Sequence, residues 1–125
     1  MSLDVHLYGK TQEFACVCAC CHHEHKRYER AVFYSANITH NLGPMAAEAG
    51  IYKHIWRPEE IGITEAGQLV QPLTEALVLM YEDPPRFKKH NAKNGWGLYD
   101  NFVPWIEKYL AACKRYPEAK VEASR

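Results

Sequence analysis

Leu3, Val5 and Leu7 alternate with Asp4, His6 and Tyr8, the period-two pattern of a strand with one buried face. Gly9-Lys10 has the composition of a turn, and a second strand is expected over residues 13–20, turning at Cys21-His22. A third is expected over 29–38, where Val32, Phe33 and Tyr34 follow one another. Beyond it the apolar period becomes helical. Gly43-Pro44 can open a helix, Met45, Ala46 and Ala49 share a face, and Gly50 can close it. A short helical turn is expected over 51–56, ended by Pro58.

Ala66, Leu69, Val70, Leu73, Leu77, Met80 and Tyr81 then form one stripe at helical spacing. Pro72 should either kink this helix or mark its start, and Asp83-Pro84-Pro85 should end it. A last helix follows Asn101 with Pro104 in its first turn. Its apolar face is Phe102, Trp105, Ile106, Tyr109, Leu110 and Cys113, and Pro117 stops it. Val121 and Ala123 alternate with Glu122 and Ser124, predicting a short terminal strand that closes the sheet. The pattern defines an α+β fold: a small antiparallel sheet, of N-terminal strands and a C-terminal strand, packed against three to four helices. It reads as a single domain over 1–125, with strands and a Cys/His knuckle in 1–38, helices in 39–117 and the terminal strand in 118–125.

Composition narrows the classes. Of 125 residues, 47% are hydrophobic and 24% charged, which excludes a disordered, collagen-like or coiled-coil chain. Fifteen basic residues balance fifteen acidic ones, so duplex nucleic acid is not an expected partner. The longest apolar run, over 76–81, is far short of a membrane span of about 20 residues. Met1 to His6 show no basic stretch leading into an apolar block, so a cytoplasmic location is expected.

Within the reduced interior of a cell, the cysteines point to metal rather than disulfides. Cys16, Cys18, Cys20, Cys21, His22, His23 and His25 crowd into ten positions. Cys18-x-x-Cys21 has the spacing of half a structural zinc site; Cys16 can reach it from the preceding strand and His23 or His25 from the following one, with Cys16, Cys18, Cys21 and His23 the expected set. The alternative is that Cys16, Cys18 and Cys20 line one face of a strand. No second C-x-x-C exists, and the distant candidates are His6, His40, His54, His90 and Cys113. Cys18-Ala19-Cys20-Cys21-His22 also fits the c-type haem attachment pattern, whose chemistry requires export. A thioredoxin-like motif is disfavoured because no βαβ pattern surrounds the pair. Cys113 lies on an apolar stripe and reads as an inert buried thiol.

Two polar clusters stand out from the core pattern. The first, Asn37, Thr39, His40 and Asn41, lies where a strand runs out and a helix begins, a junction that offers free backbone N–H groups. Its plain alternative is helix capping. The second is Asn94-Gly95-Trp96-Gly97-x-Tyr99, in which a Trp between two glycines has an unobstructed ring. Its plain alternative is an indole plugging the core. Taken together, Asn37, Thr39, His40, Asn41, Asn94, Trp96 and Tyr99 are expected to wall a pocket for a flat polar molecule. No nucleophile elbow, zinc-peptidase helix or phosphate-binding loop occurs, so no catalytic residue is assigned. Glu59-Glu60 and Glu82-Asp83 read as solvated charge at helix ends.

The segments 35–43, 56–60 and 94–99, with Tyr116-Pro117-x-Ala119-x-Val121, resemble a family of small, largely uncharacterised bacteriophage and prophage proteins. In that family a Cys-x-x-Cys is followed by Gly-His, where His22-His23 stands here. The resemblance implies a phage-borne accessory protein of the bacterial cytoplasm and supplies no reaction. Three functions follow. The first is binding of a small polar or nucleotide-like ligand, sequestering a host defence signal. The second is inhibition of a host protein, with Trp56 and Trp96 as exposed anchors. The third is a small metal-dependent hydrolase using His40. The free edge of a small sheet would also allow pairing with a second copy.

Overall fold

The computed structural model describes residues 2–17 and 24–125, with side chains from 2–9 and 31–125. Two long strands, β1 (Ser2–Val17) and β2 (Glu24–Thr39), pair antiparallel from Ser2 opposite Thr39 to Val17 opposite Glu24. A 3-10 turn, His40–Leu42, leads into α1 (Gly43–Glu48) and α2 (Tyr52–Trp56). A second 3-10 turn, Pro58–Ile61, precedes α3 (Gly67–Glu82), α4 (Pro84–Lys88) and α5 (Tyr99–Arg115). The last strand, β3 (Lys120–Ser124), returns antiparallel to β1, with Asp4 opposite Ser124. The sheet order is β2-β1-β3, so β1 is central. This is the α+β architecture that the alternation predicts, with five α-helices among the described residues instead of three to four. Among the described residues, no helix is long and apolar enough to cross a membrane.

Gly9-Lys10 is not a turn. β1 runs straight through it, and the ladder shifts register instead, with Tyr8 paired to Val32 and Thr11 to Arg30. Such bulges accommodate extra residues without ending the strand. The glycine has a steric purpose here: a Cβ on Gly9 would lie 2.7 Å from Cζ of Phe33. The bare backbone lets that ring cross the neighbouring strand and stack on Tyr116, with centroids 4.6 Å apart. The expected turn at Cys21-His22 falls outside the described residues.

Leu3, Val5 and Leu7 are fully buried, and Ile38 joins them from β2. The same core holds Leu69, Leu73 and Met80 of α3 and Phe102, Ile106 and Tyr109 of α5, the helix that meets both β2 and α3. Tyr81, expected on the buried stripe of α3, is exposed beside Val78. Pro72 lies inside α3, which continues past it. Asp83-Pro84-Pro85 ends α3 as expected, but the same prolines then open α4. Proline is suited to a first turn, where its missing N–H is not needed. Trp56 sits in the centre of the core, 1% exposed, stacked on Tyr52 at 5.4 Å and edge-on to Phe102 at 6.5 Å. It therefore cannot serve as an exposed anchor for a partner.

Candidate functional site

Asn37 stands at the end of β2, directly opposite Asp4. Its side-chain amide reaches across β1, donating to Oδ1 of Asp4 (2.6 Å), to Oγ of Ser2 (2.9 Å) and to the Leu3 carbonyl (3.3 Å). Its own carbonyl accepts from Nε1 of Trp105 on α5 at 3.1 Å. Two residues on, Oγ1 of Thr39 accepts from the Asn41 N–H at 3.3 Å and caps the 3-10 turn.

The segment between α4 and α5 folds onto this strand exit. Within it, Ala92 N–H donates to the Gly97 carbonyl, and Oδ1 of Asn94 accepts from the Trp96 N–H, both at 3.0 Å. Gly95 (φ 79°) and Gly97 (φ 122°) occupy left-handed backbone that other residues rarely adopt. Gly97 also lies so close to the strand exit that a Cβ there would be 3.0 Å from Cβ of Asn41. The side-chain amide of Asn41 closes the contact by donating to the Trp96 carbonyl.

The result is an open recess of about 600 Å³. Asn37, Thr39 and Asn41 form one wall, Asn94 and Trp96 another, and Asn101 and Trp105 of α5 the floor. Among the described residues, every lining side chain is uncharged. Trp96 is 72% exposed, so its indole is a rim and not a plug. Trp105 is packed instead, stacked on Phe102 at 6.3 Å and edge-on to Tyr109 at 5.4 Å.

Five of the seven residues singled out in the sequence meet here: Asn37, Thr39, Asn41, Asn94 and Trp96. His40 does not. Its Nδ1 accepts from Nε1 of Trp56 at 2.9 Å, and its ring lies over a separate shallow hollow with Pro44, Ala47 and Tyr52. A 3-10 turn has about three residues per turn, so neighbours His40 and Asn41 are directed to different sides. Tyr99 is also elsewhere. Its hydroxyl donates to the Met80 carbonyl at 2.7 Å near the end of α3, and burial raises its pKa. Its N–H donates to Oδ1 of Asn91 at 2.8 Å. Asn101 and Trp105 were the residues missed. Their i, i+4 spacing places them on one helix face, while Tyr99 is about 200° round from Asn101.

Of the proposed zinc ligands, Cys18, Cys21 and His23 lie outside the described residues, and the side chain of Cys16 does too. The ladder sets Cys16 opposite His25. Among the described residues, no group of three or more His, Cys, Asp or Glu is arranged to hold a metal. Among the described side chains, the histidines are dispersed: His6 stacks on Tyr8, His90 faces Glu48 at 3.6 Å, and burial lowers the pKa of His54. Cys113 is buried in α5, which pushes its thiol pKa up to about 12. Compared with known proteins, the chain matches no family model, no curated protein and no solved structure.

Proposed function

We propose that the chain is a binding protein whose recess takes a small polar molecule, held by side-chain amides with one face against Trp96. The observation that carries this reading is the convergence of two segments, 37–42 and 94–97, on an uncharged cavity with a 72% exposed indole at its rim. Burying an indole on folding is worth roughly 2–3 kcal/mol. A fold that leaves this one in water forgoes that gain, and a ligand can recover it. Among the described residues, the lining offers no imidazole, thiol or carboxylate to move a proton, which supports binding over turnover. With the resemblance to small phage proteins, the reading extends to an accessory protein that withholds a host molecule in the bacterial cytoplasm.

Native mass spectrometry of protein isolated from bacterial cytoplasm tests this. A bound small molecule is expected on the wild type and lost from Trp96→Ala. A ligand retained by that variant, or absent from both, overturns the reading.

Zinc at Cys16, Cys18, Cys21 and His23 is a separate proposal, supported by their spacing and by the register that sets Cys16 opposite His25. One zinc per chain, lost on Cys18→Ser and Cys21→Ser, is the expected elemental analysis. A ratio near zero in untagged protein overturns it.

A further inference from the structure

The chemistry of the recess narrows the ligand, an inference that rests on the binding reading above. We infer that the recess is built for the neutral ring of a saccharide and not for a nucleotide. Three observations converge.

The first is charge. A phosphate is normally met by Arg, Lys or converging backbone N–H groups. Among the described residues, none of the lining side chains is cationic. Lys93 of the same loop is exposed outside the lining, as are Asp4 and Asp100, so no described side chain brings charge of either sign into the recess.

The second is the count of free rings. A nucleobase gains most when stacked on aromatic platforms. The Trp105 ring is committed to Phe102 and Tyr109, and its N–H to the Asn37 carbonyl. Among the described residues lining the recess, only Trp96 presents an uncommitted π-face, and Tyr99 is turned away. A sugar needs just one such face. Its C–H hydrogens carry partial positive charge and rest on the negative face of the indole.

The third is the hydrogen-bonding set. Among the described residues, Oδ1 of Asn37, Oδ1 of Asn41, Nδ2 of Asn94 and the whole carboxamide of Asn101 have no protein partner. Acceptors and donors are thus both left free among the lining residues. Each sugar hydroxyl is itself donor and acceptor, so neighbouring hydroxyls match such a set without a charge on either side.

The test is a titration of ¹⁵N-labelled protein followed by NMR, with maltotriose, cellotriose, N,N′-diacetylchitobiose, adenosine and AMP added in turn. Trp96→Phe identifies the Trp96 indole N–H signal by its disappearance. Saturable shifts of that signal and of the Asn94 and Asn101 side-chain amides are expected with at least one saccharide, with Kd on the order of 1 mM for so small a contact. AMP is expected to leave them in place. Movement with AMP, whether or not a saccharide also acts, or with adenosine and no saccharide, overturns the inference while keeping the binding reading. Stationary recess signals with all five probes overturn the saccharide inference, while the binding reading stands or falls on the native mass spectrometry above.

Discussion

The side-chain amide of Asn41 donates to the main-chain oxygen of Trp96 at 2.8 Å, joining positions 55 residues apart. That bond fastens the tryptophan loop to the strand exit. Asn41→Ala should cost about 1 kcal/mol, the net worth of a partly solvated hydrogen bond, and lower Tm by roughly 4 °C. Amide exchange should speed up selectively over residues 92–97. Unchanged exchange in that loop would show that the contact does not hold it.

Gly97 is the tighter constraint. Gly97→Ala combines a left-handed φ of 122° with a Cβ placed 3.0 Å from Asn41. Gly50→Ala is the control, because its φ of 76° is strained but a Cβ there meets nothing within 4 Å. The control should cost about 1 kcal/mol and Gly97→Ala at least 1 kcal/mol more. Denaturant unfolding of the two variants measures the difference, and equal losses would mean that the loop accommodates the methyl by moving away.

His40 accepts from the core indole of Trp56 and lies outside the recess. His40→Ala removes the acceptor for the buried indole N–H of Trp56 and should destabilise by roughly 1–3 kcal/mol. Ligand titration at the recess should be unaffected. Intact stability with lost binding would return the imidazole to the site.

Stability should fall in alkali. The Cys113 thiol is pushed from its ordinary value of 9.0 up to about 12 by burial. Below pH 9 folded and unfolded chains both hold this proton, and its contribution is complete. Between about pH 9 and 12 the unfolded chain releases it first, so stability drops by up to roughly 1.4 kcal/mol per pH unit. Tyr109, also raised by burial, adds to the loss at higher pH. Cys113→Ala should flatten the slope of unfolding free energy just above pH 9. An equal slope in both proteins would mean that the thiol titrates in the native state.

The sequence marks the fold where one periodicity persists. Leu3-Val5-Leu7, the stripe of α5, that of α3 apart from Tyr81, and the half-buried closing alternation at Val121 and Ala123 all appear in the structure as elements with those faces inward. It misleads where one residue type has two uses. Gly9 looks like punctuation but serves the passage of Phe33, and Pro84-Pro85 both stops one helix and starts the next. In the recess, the asparagines and Trp96 stand out because such residues are costly to strand without purpose. His40 and Tyr99 stand out equally, yet rotation of the turn and helix carries them away. Trp105 is hidden by its place in an apolar stripe, since half-burial is not encoded in hydropathy.

Strand β1 is flanked by partners from opposite ends of the translation order: β2 follows it soon after, whereas β3 is added only at residues 120–124. During synthesis the inner face of Leu3, Val5 and Leu7 has no complete cover until α5 and β3 have left the ribosome. Native assembly is therefore a late event requiring contacts distant in sequence, the kind of topology that slows folding. A nascent chain stalled ahead of Lys120 would display a bare β1 edge, a natural substrate for chaperones.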